Sequence, residues 1–474
     1  MLLKRIYEDA LAQASYLIAC DQTGRAIVVD PNRDIERYLD AARDEGVTIT
    51  EVTETHIHAD FVSGARELAR RAGARLLLSA EGGADWQYRF AADSRATLLH
   101  DGDRFEVGSV HFDVRHTPGH TPEHVCFLVT DATISEHAVG MLTGDFLFVG
   151  DVGRPDLLER AAHVQGTMDR MARDLFRSLR ALRELPDYLQ VWPGHGAGSA
   201  CGKSLGALPM TTLGFERVAN WAFHIDDEDE FVRAVLAGQP EPPRYFARMK
   251  MLNRAGPPPW PDMDALPEIH VPGIHRALAT NVAVIDVRPS AEFALGHIPG
   301  TLSMPLGDSL ATWAGTLIDE RRDILLVADD APRLRAAQRV LALIGLDRVT
   351  GWAGLSARET WEAEIGPLAR VRQVAPEAVA AEGRTVLDVR RAAEWDEGHV
   401  PGARHFYLGD LPDLAEDLPL DLPIALHCQG STRASIAASI LQAKGFTNVA
   451  SVRGGYRAWT AAGLPIDRNS SPAT

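Results

Sequence analysis

Residues 55–64 read THIHADFVSG, and the order of side chains in that stretch decides what the first half of the chain builds. His56, His58 and Asp60 alternate along it, three groups able to offer a lone pair to a metal, and Gly64 closes it. Phe61 follows Asp60, and its ring has no lone pair to give. A single histidine is ordinary in any protein, so the stretch carries weight only if other loops answer it. Three do. HTPGHTPEH (116–124) supplies His116, His120 and His124; LTGDFLFVGDVGRPD (142–156) supplies Asp145 and Arg154; VWPGHGAGSACGK (191–203) supplies His195, Cys201 and Lys203. Each contains a Gly or Pro that fixes a turn, and loops on a rigid scaffold are where sites are built.

Around these loops the chain alternates short strand-type runs with helical patterns. SYLIAC (15–20), AIVVD (26–30), ARLLLS (74–79), VHFDVRH (110–116) and HVCFLVT (124–130) are bounded by Gly, Asp and Pro. Amphipathic stretches lie between them, at RDIERYLDAARDEG (33–46), GARELARRAG (64–73) and HVQGTMDRMARDLFRSLRAL (163–182). The pattern predicts two sheets flanked by helices. The proline-dense AGPPPWPDMDALPEI (255–269) then reads as an interdomain linker.

Beyond the linker the sequence repeats. VIDVRPSAEFALGHIPGTLSMPLGD (284–308) and VLDVRRAAEWDEGHVPGARHFYLGD (386–410) match at an offset of 102. Each copy continues as apolar strand, loop and helix, which predicts two α/β domains with parallel sheets. The expected domains are 1–260, 261–368 and 369–474.

Composition narrows the function. The 474 residues carry a net charge of −17, which argues against nucleic acid or an anionic membrane as partner. Glu8 and Asp9 interrupt the N-terminal segment where a secretory signal needs an apolar run, so a cytoplasmic location is expected. Four cysteines, Cys20, Cys126, Cys201 and Cys428, are too few and too scattered for a disulfide framework. Cys20 and Cys126 sit in apolar strand contexts and read as small buried residues. Cys201, six residues after His195 and beside Lys203, has two readings: a thiol near the substrate path with a lowered pKa, or simple packing.

The four metal loops, in this order, resemble the metallo-β-lactamase superfamily, with its H-x-H-x-D-H loop and later His, Asp and His. That implies an αββα sandwich over the N-terminal half. In two-metal members the last histidine of the loop helps to hold the second ion, and here it is Phe61. One metal is therefore expected, held by His56, His120 and Asp145. A two-histidine, one-carboxylate face with open positions suits non-haem Fe(II) and oxygen chemistry. Within the superfamily the chain resembles the persulfide dioxygenase branch, which implies one mononuclear Fe(II) per chain. The substrates implied are a low-molecular-weight thiol persulfide and O₂, with sulfite as product. His58, Asp60 and His195 are expected to orient ligands, water or substrate, and Arg154 to bind substrate. A glyoxalase II-like thioester hydrolase is the alternative, with Phe61 against it.

The two repeats resemble rhodanese domains, sulfurtransferases that carry sulfur as a cysteine persulfide. HCQGSTRAS (427–435) places Cys428 at a strand end, followed by a short loop and Arg433 at the start of a helix. Loop N–H groups, the helix N-terminus and the Arg cation favour thiolate, and such surroundings bring a thiol from about 8.5 into the range of about 3.5–7.5. The first copy reads VADDAPRLR (327–335), with Ala328 at the cysteine position, so it is expected to fold without forming a persulfide. Joined in one chain, the resemblances imply thiosulfate formation or use at Cys428, in sulfide detoxification. A homo-oligomer is expected.

Overall fold

The computed structural model describes residues 1–160, 166–203, 205–263 and 266–468. Residues 163–165 of the third helical pattern, and 264 and 265 of the linker, lie outside them. The chain divides into two compact units, Met1–Trp260 with Leu343–Gly345, and Pro261–Ala342 with Leu346–Thr474.

The first unit contains two six-stranded sheets. One runs Leu2–Glu8, Gln13–Ala19, Arg25–Val29, Thr48–Thr53, Arg75–Ser79, Thr97–Leu99, antiparallel over its first three strands and parallel after them. The other runs Thr211–Thr212, Gln190–Pro193, Gly140–Gly144, Val125–Asp131, Val110–His116, Arg104–Val107. Side chains alternate between two cores. Tyr16, Ile18, Ile27 and Val29 face the opposite sheet, where Phe112, Phe127 and Trp192 meet them. Leu17, Ala19, Val28 and Val52 face outward and are covered by the helices Glu36–Asp44 and Ala65–Ala72 through Tyr38 and Leu68. The second sheet's outer face is covered by Met168–Ala181 and Glu228–Leu236. With both faces buried, strands such as 15–20 read as nearly unbroken apolar runs. The result is the expected αββα sandwich. His56, Asp145 and His195 follow the ends of the strands Thr48–Thr53, Gly140–Gly144 and Gln190–Pro193.

The second unit contains a four-stranded sheet, in the order Leu302–Ser303, Ala283–Asp286, Ile324–Val327, Val349–Ala353. Its five-stranded sheet is ordered Arg372–Val374, Val449–Val452, Ile424–His427, Thr385–Asp388, Arg404–His405. All pairings are parallel, as the strand and helix alternation predicts. The repeated letters encode one device, built twice. Arg288 donates from Nε and Nη2 to Asp286 at 2.9 and 2.5 Å, and Arg390 donates to Asp388 at 2.9 and 2.7 Å. Both pairs are buried, and each Arg also bonds a glycine carbonyl, Gly296 or Gly398. The histidine after that glycine stacks on an aromatic ring, His297 on Phe293 at 3.7 Å and His399 on Trp395 at 3.6 Å. Phe293 and Trp313 of the first copy share a core with Phe406, Leu426 and Ile436 of the second. Among the described residues no helix is long and apolar enough to cross a membrane.

Removing one partner of a buried pair strands the other charge, which costs about 3–5 kcal/mol. Arg390→Ala is therefore expected to lower the stability of the second unit by that order, read as a shift of its urea unfolding midpoint. A shift no larger than that of an exposed control such as Arg404→Ala would contradict the pair's structural role.

Candidate metal centre and sulfur-transfer loop

The histidine loop is fixed by one carboxylate. Asp30 ends the strand Arg25–Val29 in the left-handed region, φ 53°. Its Oδ1 accepts from Thr55 N–H at 2.6 Å and from His58 Nε2 at 3.1 Å, and its Oδ2 accepts from the Thr55 hydroxyl at 2.9 Å. Because the Thr55 proton is committed to Asp30, its oxygen accepts from His56 Nδ1–H at 3.0 Å. That leaves the lone pair of His56 on Nε2. His120 is set likewise, donating from Nδ1 to the Arg154 carbonyl at 3.2 Å. Burial first, and neighbouring positive groups second, lower both rings well below the ordinary histidine value, so both are neutral.

His56, His120 and Asp145 converge, with Asp145 Oδ2 at 4.0 Å from His56 Nε2 and 3.6 Å from His120 Nε2. His56 Nε2 and both Asp145 oxygens are buried without a hydrogen bond. Leaving such groups unpaired is costly, and a cation among them supplies the missing partner. Burial raises the Asp145 carboxyl to about 6, with His195 opposing and Asp60 adding to the rise. The residues present fit a metal ion. Gly194 lets the next loop approach, since a Cβ there would lie 2.8 Å from Asp145 Oδ1.

The expected orienting residues separate. His58 bonds Asp30 through Nε2 and is not part of the triad; burial opposes its charging, but Asp30, Glu54 and Asp60 outweigh it and raise its pKa to about 9. The Phe61 ring lies against His58 at 4.4 Å. Asp60 and His195 instead join Cys201 in a second buried group whose potential ligand atoms lie within 4.8 Å of one another. His195 donates from Nδ1 to Ala12 O at 3.0 Å and turns Nε2 toward Asp60 Oδ2 at 3.3 Å and Asp145 Oδ1 at 3.4 Å.

Arg154 and Cys201 meet surroundings that their sequence neighbours do not indicate. Arg154 does not face a substrate: it is fully buried, forks onto Asp156 at 2.8 and 2.7 Å, and donates to the carbonyls of Ala200 and Pro240. Its bound donors and burial make it a brace for the loop that carries its own carbonyl to His120. Cys201 does lie beside the centre, but its thiol is raised well above the ordinary value by burial and by Asp145 and Asp60. Lys203 turns away from it, donating to Ala234 O at 2.8 Å and lying over Trp221 at 4.3 Å.

Some partners escaped the sequence reading. Asn253, on the helix Phe246–Ala255, donates to the carbonyls of His58 and Phe61 at 2.8 and 2.7 Å and accepts from Ser63 N–H at 2.9 Å, clamping the histidine loop. Lys250, one turn earlier, is buried and lies over the Trp86 ring at 4.7 Å. Burial lowers its pKa, Glu123 opposes this, and its charge reaches His56 and His120. On an amphipathic helix the spacing of Lys250 and Asn253 reads as solvated, and nothing local distinguishes them.

In the second unit Cys428 follows the strand Ile424–His427, and Ser431 precedes the helix Thr432–Ala443. Tyr456 N–H donates to Cys428 O at 2.7 Å and Arg457 N–H to Gln429 O at 3.1 Å, holding the loop from outside. Gly455 makes this approach possible: its φ is 58°, and a Cβ there would lie 2.3 Å from the carbonyls of Cys428 and Gly430. Arg433 pairs with Glu394 at 2.5 and 2.8 Å. The Cys428 pocket, about 420 Å³, includes Arg391, Thr432 and Arg433, and the first copy supplies Ser309 and Trp313 to its wall. In the first copy Ala328 is buried and Asp329 pairs with Arg333 at 2.8 Å.

Comparison with known proteins agrees with this division. The family described as metallo-beta-lactamase superfamily matches residues 9–195, and the rhodanese-like domain matches 274–354 and 373–462. The crystal structure of a metallo-beta-lactamase from Staphylococcus aureus subsp. aureus COL is 38% identical, covers 74% of this chain and 98% of its own, and superposes with a TM-score of 0.68. A hydroxyacylglutathione hydrolase of Polaromonas sp. is 32% identical over 41% of this chain, which spans 66% of that protein's length. The uncharacterized protein ML0493 of Mycobacterium leprae is 31% identical over 41% of this chain and 92% of its own.

Two outcomes are expected. Asn253→Ala should weaken metal affinity about 10–100-fold, as loss of a group that orients ligands does, measured by chelator competition; unchanged affinity would remove Asn253 from the site. Burial lowers His427 to about 4. The unfolded ring titrates near about 6.5, so below that pH the unfolded chain binds the extra proton. Stability should fall as pH drops from about 6.5 to about 4, by roughly 3 kcal/mol from this group. His427→Gln should make that fall shallower in urea unfolding, and equal slopes would contradict the assignment.

Proposed function

The chain belongs to the metallo-β-lactamase superfamily through its N-terminal half and carries two rhodanese-like domains after it, and from that premise we propose that it is a mononuclear non-haem iron persulfide dioxygenase coupled to a sulfurtransferase. The observation that carries the reading is the triad His56, His120 and Asp145, with buried lone pairs unpaired, next to a loop in which Phe61 cannot ligate. His56, His120 and Asp145 would hold an Fe(II) ion, which would supply the redox chemistry that activates O₂ toward a persulfide. The overall reaction balances as RSSH + O₂ + H₂O giving RSH, sulfite and two protons.

The chain's own residues prepare that chemistry. Thr55 and the Arg154 carbonyl hold the two imidazoles in the tautomer that presents Nε2. Asp30 engages His58 Nε2, and the Phe61 ring lies against His58. In the second unit the Cys428 thiolate attacks the outer sulfur of R–S–S⁻. The S–S bond of the donor breaks, R–S⁻ leaves, and the sulfur stays on Cys428 as a persulfide. Sulfite then attacks that outer sulfur, giving thiosulfate and restoring the thiolate. The adjoining Arg433 and Arg391 suit an anionic donor and an anionic acceptor.

A second reading has its own support. A curated relative is named hydroxyacylglutathione hydrolase, and Asp60, His195 and Cys201 form a further group able to hold an ion. A two-zinc thioester hydrolase would use both groups. Metal content and oxygen uptake separate the two readings. The protein purified under reducing conditions should hold about one iron per chain and consume O₂ with a thiol persulfide, and His120→Ala should lose both. Two zinc ions with thioester hydrolysis would sink the dioxygenase.

Cys428→Ser should leave O₂ uptake intact while the product shifts from thiosulfate to sulfite, because serine cannot hold a persulfide. Equal thiosulfate yield, after correction for the spontaneous reaction of sulfite with persulfide, would separate the two activities. Phe61→His should admit a second ion when zinc is supplied, with dioxygenase turnover lost in proportion. A single ion at saturating zinc would mean that Phe61 is not what limits the site.

A further inference from the structure

The second unit has a charged cleft of about 1090 Å³ whose wall includes Arg370, Arg372, Arg384 and Arg453. No Asp or Glu lines it, in a chain where acids outnumber Lys and Arg by 65 to 48. Glu382, outside the lining, bonds Arg372 at 2.7 Å and Arg384 at 2.8 Å, and Arg384 is further tied to Asn448 Oδ1 at 2.8 Å. Those two are braced. Arg370 and Arg453 are exposed, and among the described residues neither makes an ion pair or a side-chain hydrogen bond. The remaining wall is mixed, with Ser, Thr and Asn hydroxyls and amides beside an apolar side formed by Leu295 and Val371.

The cleft adjoins the sulfur-transfer loop. Ser431 lines both the cleft and the pocket of Cys428. Arg453 and Gly454 directly precede Gly455, whose backbone lies against the Cys428 and Gly430 carbonyls. Sulfite and thiosulfate need far less space than this, whereas openings of several hundred Å³ or more suit organic ligands. Unpaired guanidinium groups favour oxyanions, phosphate above all, which accept two parallel N–H bonds. A peptide thiol is less suited, because it brings an ammonium beside its carboxylates and this wall has no acid to receive it.

We propose that this cleft binds the carrier end of the persulfide donor to Cys428, and that the carrier is an organic thiol bearing phosphate groups. The inference rests on Cys428 being the sulfurtransferase nucleophile. Arg370 and Arg453 hold the phosphates, the Leu295 side takes the apolar part, and the sulfur end reaches past Ser431. Cys428 thiolate then takes the outer sulfur and the carrier leaves as its thiolate, still held by the arginines until it is released.

The test uses the full chain with three sulfur donors: coenzyme A persulfide as the phosphate-bearing probe, glutathione persulfide as the carboxylate-bearing probe, and thiosulfate with cyanide as the carrier-free control. The double variant Arg370→Ala, Arg453→Ala should raise KM for coenzyme A persulfide about tenfold or more, a charge-assisted hydrogen bond being worth at least that factor. Its kcat, its kinetics with thiosulfate and its KM for glutathione persulfide should stay within about twofold, below the weight of one such contact. Calorimetric titration with adenosine 3′,5′-bisphosphate, which has no sulfur, should show binding to the wild type and weaker binding to the variant. An unchanged KM for coenzyme A persulfide, or an equal rise with all three donors, would overturn the proposal. If wild type and Cys428→Ser both fail to transfer sulfur from thiosulfate to cyanide, the premise about Cys428 fails, and the bisphosphate titration alone decides the cleft: no binding, or equal binding to the variant, rejects it.

Discussion

The first unit depends on where Asp30 spends its carboxylate. One residue in a left-handed turn at a strand end accepts three hydrogen bonds from the histidine loop, all buried. Charge-assisted bonds of this kind are worth more than neutral ones and lose little to water when buried. Two consequences follow from the same oxygen atoms. Thr55 becomes an acceptor, which fixes the tautomer of His56, and His58 commits its Nε2 to Asp30 and lies outside the group formed by His56, His120 and Asp145. Phe61, whose ring lies tilted against His58 at 4.4 Å, has no lone pair to offer. A loop that carries three ligand-type side chains thus contributes one, His56, to the triad and another, Asp60, to the group around His195 and Cys201.

The second unit uses buried charge differently. Asp286 and Asp388 are each closed by an arginine two residues on, and Glu394 is closed by Arg433. Because the repeat preserves that pair and the stacked histidine, the first copy keeps its fold although Ala328 has replaced the nucleophile. What it retains beyond the fold is surface: Ser309 and Trp313 stand in the wall of the Cys428 pocket, and Phe293 and Trp313 share the core of the second copy. A domain without the cysteine thus completes its neighbour's pocket and core.

Much of this was legible in the sequence, for reasons that are local. His56, His120 and Asp145 could be read because each lies within a few residues of a strand end and a turn, and the repeat could be read because its offset is constant. The αββα sandwich followed from strand runs bounded by turn residues. What the sequence does not show has one cause: neighbours in sequence are not neighbours in space. Lys203 is two residues from Cys201 yet lies over Trp221, and the thiol answers to Asp60 and Asp145 instead. Arg154 looked available because its carbonyl partners, at Ala200 and Pro240, are distant along the chain. Lys250 and Asn253 were invisible for the opposite reason, since a helix from the far end of the unit brings them to a loop near its start.

Paired and unpaired buried groups then sort structure from chemistry. A buried carboxylate that forks an arginine has met its desolvation cost within the protein, and nothing further need bind there. Asp286, Asp388 and Asp156 are of that kind. Asp145 and Asp60 are buried to a similar degree, yet among the described residues none of their side-chain oxygens has a hydrogen-bond partner. A fold stable enough to hold them this way leaves free energy to be recovered by whatever cation arrives. The spacing of the groups, rather than their number, decides how that recovery divides between one ion and two. Asp145 presents Oδ2 to His56 and His120 and Oδ1 to His195, so it stands between both groups. Phe61, in the same loop as His56 and Asp60, has no lone pair to add to either group, and its ring lies against His58 at 4.4 Å.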